Sequence, residues 1–175
     1  AYTTYMQKFL VNTPGFSKDQ ATQITAAALL AFMLAQPVFG WLSDRWGRKA
    51  MVVFAFGAGA VLAYPVFSAI AAARDPIVAF WLVLTPLLVL SAYTSISAVI
   101  KAELFPAHIR ALGVALPYAL ANATFGGTAE YMALWFKDTG AEYGFFIYVG
   151  LICAFACGIS VVLRDTQKKS AIVED

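Results

Sequence analysis

The sequence predicts an all-α membrane protein, and three observations support this fold class. The 175 residues are 61% hydrophobic and only 13% charged, with a mean hydropathy of +0.74. A soluble domain carries about twice that share of charged residues. The charges are also clustered, so residues 20–43 and 50–73 form two uncharged runs. Each run is long enough to cross a bilayer as a helix, which takes about 20 residues.

Five full membrane spans are predicted after a shorter apolar segment. Their cores are Thr22–Leu42, Ala50–Ala72, Ile77–Ile100, Ala111–Phe136 and Gly144–Leu163. The first apolar segment, residues 1–11, is too short to span, and we expect it to be the outer part of a helix that begins upstream of this sequence. Ser17 and Asp75 precede spans as typical N-cap residues.

Small residues predict where the helices approach closely. Ala55, Gly59 and Ala63 recur every four residues, a spacing that lets backbones come together in lipid. Gly126-Gly127 indicates either a hinge or a close helix contact. Cys153 and Cys157 lie in an apolar run and are interpreted as small hydrophobic side chains.

Lysine and arginine residues predict the orientation in the membrane. Eight fall on one side of the spans and four on the other, and the richer side is expected to be cytoplasmic. The first group comprises Arg45, Arg48, Lys49, Lys101, Arg110, Arg164, Lys168 and Lys169, and the second Lys8, Lys18, Arg74 and Lys137. A cytoplasmic tail from about residue 164 to 175 follows.

The segment Gly40–Lys49, predicted to be a tight loop between the first two spans, has the most specific pattern in the chain. Gly40 would let two helices cross closely, and Gly47 permits the positive φ of a sharp reversal. Asp44 can cap a neighbouring helix N-terminus and pair with Arg45 or Arg48. The basic residues of the segment are Arg45, Arg48 and Lys49. A loop that only fixes topology would explain the cations, but not an aspartate between two glycines.

This pattern, Gly-x-Leu-x-Asp-Arg-x-Gly-Arg-Lys, resembles the signature loop of the major facilitator superfamily of secondary transporters. The resemblance implies that residues 1–175 form the C-terminal six-helix half of a twelve-helix transporter, from a truncated helix seven to helix twelve. It also implies that the loop latches the cytoplasmic side. The motif Glu-x-Phe-Pro-x-x-x-Arg at residues 103–110 resembles the equivalent segment of sugar porters. Glu103 and Arg110 could bond each other or Arg48. The alternative is that both are solvated loop charges.

Polar residues inside spans are costly and tend to be functional, so they are candidates for a substrate path. The candidates are Tyr2, Tyr5, Gln36, Tyr93, Ser97, Tyr118 and Asn122. Asn122 lies about 18 Å along the helix from Arg110, near the midplane, and is the preferred substrate contact. Ser91 and Ser95 are given no role, because serines in helices often bond back to the backbone.

Three ionisable residues are candidates for an ion pair or a proton carrier. They are Lys8, Lys101 and Glu130. Glu130 is expected about 30 Å from Arg110, near the outer rim, where Lys8 or Lys137 could neutralise it.

Longer strings narrow the resemblance within the superfamily. Residues 2–13, 93–97, 101–106 and 125–131 look like the bacterial α-ketoglutarate permeases, proton symporters of the metabolite:proton branch. The resemblance implies a multi-pass protein of a bacterial cytoplasmic membrane, taking up α-ketoglutarate or a similar dicarboxylate with protons by rocking of two halves. It implies that the substrate-binding cations and proton carriers lie largely in the N-terminal half, which this sequence lacks.

Other functions remain open. The substrate could instead be citrate, shikimate, proline or betaine, or the chain could be a sugar-porter relative. A membrane sensor that keeps the fold without moving solute is an alternative of a different class. We do not expect the protein to be an enzyme or to have a cofactor or metal site. The chain has one loop histidine, two cysteines in an apolar run and no clustered carboxylates. Nucleic acid is not an expected partner, since the cations are scattered.

Overall fold

The computed structural model describes residues 5–103, 105 and 108–162. In these residues the chain is helical and has no strand. The helices are α1 (Met6–Asn12), α2 (Lys18–Trp46), α3 (Arg48–Ala72), α4 (Pro76–Thr94), α5 (Ser97–Glu103), α6 (Arg110–Ala121), α7 (Gly127–Asp138) and α8 (Glu142–Val162). A π-helical segment, Asn122–Gly126, joins α6 to α7. Tyr2, Arg164 and the predicted tail lie outside the described residues.

Four helices in the described part of the chain are long and apolar enough to cross a membrane. They are Lys18–Trp46, Arg48–Ala72, Pro76–Glu103, in which α4 and α5 count together, and Glu142–Val162. Many large apolar side chains on these helices point outward, such as Leu34, Trp41 and Phe155. Lipid can cover such surfaces, whereas a soluble monomer rarely exposes them as contiguous patches. The chain is therefore a multi-pass membrane protein.

The predicted span Ala111–Phe136 is helical but is not one uninterrupted α-helix. The five residues Asn122–Gly126 widen into a π-helix between α6 and α7. A Cβ on Gly126 would lie 2.9 Å from Oδ1 of Asn122, so the glycine leaves room for that side chain. No described atom lies within 4 Å of a Cβ built on Gly127. Neither glycine therefore meets another described helix, and the alternative of a close helix contact at Gly126-Gly127 is wrong within the described residues.

The predicted helix starts are confirmed. Ser17 accepts a hydrogen bond from the Gln20 backbone N–H, and the Gln20 side chain accepts one from the Ser17 backbone N–H, at 3.2 and 3.1 Å. Asp75 accepts a bond from the Ile77 N–H at 2.8 Å, with Pro76 as the first residue of α4. These caps satisfy backbone donors that have no partner inside the helix.

The helices pack around an aromatic core. Phe9 of α1 meets Phe67 of α3 edge-on, with ring centroids 5.4 Å apart, and Phe67 stacks on Phe146 of α8 at 5.2 Å. Tyr5 meets Phe145 edge-on at 5.7 Å. Edge-to-face and stacked pairs at these distances stabilise beyond the area they bury. The short α1 is thereby anchored to α3 and α8.

Glycines and cysteines bring α3 and α8 together. A Cβ on Gly59 would lie 3.5 Å from Sγ of Cys153, and one on Gly57 would lie 3.5 Å from Sγ of Cys157. A Cβ on Gly150 would lie 3.3 Å from the Ala60 carbonyl oxygen. Both cysteines are free thiols and pack as small side chains, as the sequence predicts.

The predicted loop Gly40–Lys49 is mostly helix, which corrects the sequence analysis. α2 continues to Trp46 and α3 begins at Arg48, so Gly47 alone is outside a helix. Its φ of +90° confirms the predicted reversal and is a conformation that residues with a Cβ rarely adopt. Because one residue can reverse the chain, the segment does not need a longer loop.

The span predicted over Ile77–Ile100 is also broken. α4 ends at Thr94 and α5 begins at Ser97, with a turn at residues 95–96. The Thr94 and Ser97 hydroxyls donate to the Leu90 and Thr94 carbonyls, at 3.2 Å each. Such bonds compete with regular helix geometry.

Candidate functional site

A charged cluster lies at the end of the bundle that carries Gly40–Lys49, called the signature end below. Arg48 at the start of α3 and Glu103 at the end of α5 form an ion pair between Nη1 and Oε1. Their side chains are 19% and 8% exposed. The pair was one of the alternatives in the sequence analysis, and the burial of Glu103 contradicts its interpretation as a solvated loop charge. The ion pair links two helices that are distant in sequence.

Arg110 extends this cluster to α6. Its Nε donates to the carbonyl oxygens of Ala102 and Phe105, at 3.0 and 3.1 Å. The guanidinium therefore closes the connection between α5 and α6 by binding backbone. No ion pair joins Arg110 to Glu103 in the part of the chain that the structure describes. Together, Arg48, Glu103 and Arg110 tie α3, α5 and α6 at one end of the bundle.

The other basic residues of the signature segment have separate contacts. Lys49 donates to the carbonyl oxygen of Val161 at 2.6 Å, in the last turn of α8. A cation at a helix C-terminus is favourable, because the last carbonyls carry partial negative charge. The guanidinium carbon of Arg45 lies 4.1 Å from the centroid of the Trp41 ring. The Arg45–Trp41 contact joins residues four apart on one helix, whereas the Lys49–Val161 bond joins distant parts of the sequence and does not follow from residue spacing.

Asp44 and Gly40 depart from their expected surroundings. Asp44 is exposed and has no hydrogen bond or ion pair with another described residue, so the predicted pairs with Arg45 and Arg48 do not form. A Cβ built on Gly40 would meet nothing within 4 Å, so no helix of the described chain crosses closely there. Both residues face open space on the bundle surface.

A polar contact joins α2 to α4 within the spans. The Gln36 side chain accepts a hydrogen bond from Thr94 Oγ1 at 3.1 Å and donates to Ser91 Oγ at 3.4 Å. Ser91 is fully buried. Gln36 was predicted to lie on the substrate path, whereas Ser91 was given no role. The only signal for the pairing was polarity within apolar runs, which does not say which helices meet.

The remaining candidates on α4, α5 and α6 have different contacts from one another. The Tyr93 ring packs on Phe56 of α3, with centroids 4.9 Å apart, and so turns toward a helix contact. Nζ of Lys101 lies 4.1 Å from the centroid of the Tyr118 ring, which links α5 to α6. Ser97, at the start of α5, donates to the carbonyl oxygen of Thr94 at the end of α4. The turn at residues 95–96 separates Tyr93 on α4 from Ser97 and Lys101 on α5.

Asn122 begins the π-helical segment and is exposed. π-helical segments within α-helices occur frequently at functional sites. Asn122 lies one helical turn from Tyr118, and both side chains face away from the packed core. The preferred substrate candidate is therefore at the one irregular point of the α6–α7 region.

Tyr5, in contrast, is buried. Its exposed fraction is 2%, and its ring contacts Phe9 and Phe145 in the aromatic core. Within the described residues it lines no open path, which corrects its expected position in the substrate path. The sequence does not distinguish a tyrosine that packs in a core from one that lines a cavity, because the residue type is the same in both cases.

A second ion pair lies at the opposite end of the bundle, between Lys8 of α1 and Glu130 of α7. This pair was also an alternative in the sequence analysis. The side chains are 57% and 42% exposed, far more than those of Arg48 and Glu103. Lys137 donates to the Asn12 carbonyl, and the Thr13 hydroxyl donates to Glu142. These contacts tie α1 to α7 and α8.

The candidates thus fall into groups at different levels of the bundle. Charges lie at both ends, and amide and hydroxyl groups lie between them. Among the described residues, no group of three or more His, Cys, Asp or Glu side chains is arranged to hold a metal ion.

Comparison with known proteins places this arrangement among transporters. The family model described as Major Facilitator Superfamily matches residues 1–174. The Alpha-ketoglutarate permease of Escherichia coli (strain K12) is 49% identical over 95% of this chain and 39% of its own length. The Glycine betaine/proline/ectoine/pipecolic acid transporter OusA of Dickeya dadantii (strain 3937) is 30% identical over 95% of the chain and 33% of its own length.

The Citrate-proton symporter of Klebsiella pneumoniae is 30% identical over 86% of the chain and 36% of its own length. The chain therefore spans 33 to 39% of the length of these relatives. No solved structure matches the chain significantly.

Proposed function

The chain belongs to the major facilitator superfamily, and on that premise we propose that it is one half of a proton-coupled importer of α-ketoglutarate or a similar small dicarboxylate. The observation that carries this proposal is the 49% identity to the Alpha-ketoglutarate permease over 95% of the chain. The protein would lie in a bacterial cytoplasmic membrane. It would move solute by rocking of two helical halves around a central site.

The signature end would face the cytoplasm. Lysine and arginine counts support this orientation, since the loops on that side carry eight of the twelve such residues. The C-terminus would then also be cytoplasmic, and the end with the Lys8–Glu130 pair would face outside.

The contacts at the signature end would allow this half of the transporter to move as one rigid body. The Arg48–Glu103 pair and the Arg110 bonds hold α3, α5 and α6 together, and the Lys49 bond adds α8. Because these groups are paired within the chain, we assign them to keeping the cytoplasmic end rigid. Asp44 is exposed and unpaired among the described residues, which suits a contact with the other half. That contact would close the cytoplasmic side and break when the halves rock.

Residues for the solute path are proposed on polarity within the spans and, for Asn122 and Tyr118, also on exposure. Asn122, Tyr118 and Gln36 supply hydrogen-bond donors and acceptors within the spans, and Lys101 supplies a cation at the cytoplasmic end of α5. A dianion also needs cations, and no lysine or arginine of the described residues lies in mid-membrane. We therefore assign the main substrate-binding cations, and the protons' main carriers, to the other half of the transporter.

The test is uptake by the full-length protein. Cells that lack other dicarboxylate carriers and express the protein should accumulate radiolabelled α-ketoglutarate, and a protonophore should abolish the accumulation. Competition with unlabelled citrate, shikimate, proline and betaine identifies the substrate class. Accumulation that persists with the protonophore would refute proton coupling, and uptake competed only by proline or betaine would refute the dicarboxylate.

A zwitterion carrier is the second candidate, because the transporter OusA is 30% identical over the same 95% of the chain. The outcome of the competition assay decides between the two.

A further inference from the structure

A cleft at the end of the bundle opposite the signature end has two lysines and two amide side chains in an otherwise apolar wall. Its volume is about 340 Å³, and its lining residues are Gln7, Lys8, Val11, Asn12 and Lys18. Small-molecule sites commonly have volumes of about 300–1,000 Å³. Lys8 and Lys18 bring two positive charges to the cleft, and no acidic residue is among the described residues that line it. Its charge and size therefore suit a small anion.

The bond that occupies Lys8 is easy to exchange. Lys8 pairs with Glu130 of α7, and both side chains are about half exposed. Exposed ion pairs contribute little, because water and salt screen them and two long side chains must be held in place. A second carboxylate that enters the cleft can thus compete with Glu130 for the same ammonium group. Lys18 has no ion pair among the described residues and is available to bind the other carboxylate of a dicarboxylate ligand.

The wall of the cleft is held in place independently of that bond. Phe9 and Leu10 of α1 are buried in the core, and the Gln7 amide donates to Thr22 Oγ1 of α2 at 2.7 Å. Lys137 donates to the Asn12 carbonyl from outside the cleft. Since these contacts fix α1, loss of the Lys8–Glu130 bond leaves the cleft in place.

We propose that this cleft is an outer anion-binding site, in which Lys8 exchanges Glu130 for one carboxylate of a dicarboxylate while Lys18 binds the other. The proposal rests on the proposed function, since it takes the transported solute as the ligand. It goes beyond that function by placing the first contact of the solute at the outer end of α1, separate from the central site. Glu130 then acts as a competitor that the solute must displace.

The experiment measures occupancy of the cleft without using transport. In full-length protein with no other cysteine, Asn12→Cys supplies a thiol on the cleft wall. Its rate of labelling by an anionic methanethiosulfonate reagent is measured in membrane vesicles with increasing α-ketoglutarate. The dimethyl ester of α-ketoglutarate is the control ligand, because it has the same carbon skeleton and no charge.

We expect α-ketoglutarate to slow the labelling and the ester to have no effect. Lys8→Gln should raise the half-protecting concentration about two- to fivefold, the size of an exposed charge interaction. Glu130→Gln should lower it, because the competitor for Lys8 is gone. Lys8→Arg keeps the charge and should retain protection.

Opposite effects of Lys8→Gln and Glu130→Gln would support exchange. Changes in the same direction would overturn it, because a purely structural ion pair is broken by either substitution. Absence of protection in the starting protein would also overturn it. If uptake occurs but α-ketoglutarate does not slow labelling, the proposed function stands and the site is refuted. If α-ketoglutarate slows labelling but is not taken up, the site is supported and transport is refuted.

Discussion

Single charges near the two ends of the bundle differ mainly in burial. The Glu103 side chain is 8% exposed and bonded to Arg48, whereas Glu130 is 42% exposed and bonded to Lys8. Removing one partner of a buried pair leaves the other charge without compensation, which is far more costly than losing an exposed pair. The same residue types in the same pairing are therefore expected to differ in their effect on stability.

We predict that Glu103→Gln destabilises the full-length protein by about 3 kcal/mol, the lower end of the cost of breaking a buried ion pair. Thermal unfolding of the purified protein in detergent measures the change. Asp138→Asn is the control, because Asp138 is exposed and unpaired among the described residues. The exchange Arg48→Glu with Glu103→Arg should recover part of the loss. Equal melting temperatures for Glu103→Gln and Asp138→Asn would contradict a stabilising pair.

At the scale of elements, glycines contribute both to close helix contact and to helix irregularity. Gly150 lets α8 approach the α3 backbone, and Gly126 leaves room for Asn122 in the π-helical segment. Gly158 and Gly127 lie on the same two helical regions, and nothing is within 4 Å of a Cβ built on either. Each contact glycine therefore has a matched control in its own element.

Gly150→Leu should destabilise the protein by about 1–3 kcal/mol, the usual cost of inserting side-chain volume into a packed contact. The nearest atom to a Cβ there is backbone oxygen of Ala60, which cannot move aside as a side chain can. Gly158→Leu should change stability by less than about 0.5 kcal/mol, as an exposed substitution does. Thermal unfolding of both variants provides the comparison, and equal losses would argue against an α3–α8 contact at Gly150.

Gly126→Ala should raise the apparent substrate constant without lowering stability. The new Cβ would lie 2.9 Å from Oδ1 of Asn122 and would displace that amide, which is the end of a movable side chain. Loss of one hydrogen bond to the substrate corresponds to about a two- to tenfold increase. Uptake kinetics for Gly126→Ala and Gly127→Ala measure it. The same constant in both variants would exclude Asn122 from substrate binding.

At the scale of the whole molecule, the signature end carries Asp44, an exposed acid that has no ion pair among the described residues. Asp44 is exposed beside a cluster in which Arg48, Glu103 and Arg110 all have partners. In a transporter of two halves, an unpaired charge at the cytoplasmic end can bond a helix terminus of the other half. The role of Asp44 would then depend on residues outside this sequence.

Asp44→Asn should therefore reduce the rate of uptake while leaving the melting temperature unchanged. The expected loss is about tenfold, the equivalent of about 1.4 kcal/mol for one charge-assisted hydrogen bond. This pattern contrasts with that of Glu103→Gln, which lowers stability. Membrane insertion and thermal unfolding are the controls for folding. A variant with normal uptake, or one that loses stability together with uptake, would count against a latch between halves.

The sequence alone was sufficient for the membrane class, the helix starts and the reversal at Gly47, because composition, capping residues and positive φ are local properties. Local properties did not predict that α2 continues through Gly40–Trp46. They also did not predict the turn at residues 95–96 or the π-helical segment at 122–126, since polarity does not fix where a helix ends. Only the tertiary structure decided that Glu103 bonds Arg48, that Gln36 meets Ser91 and Thr94, and that Tyr5 packs in the core. These outcomes depend on which distant helices become neighbours, and residue spacing along one helix holds no information about its neighbour.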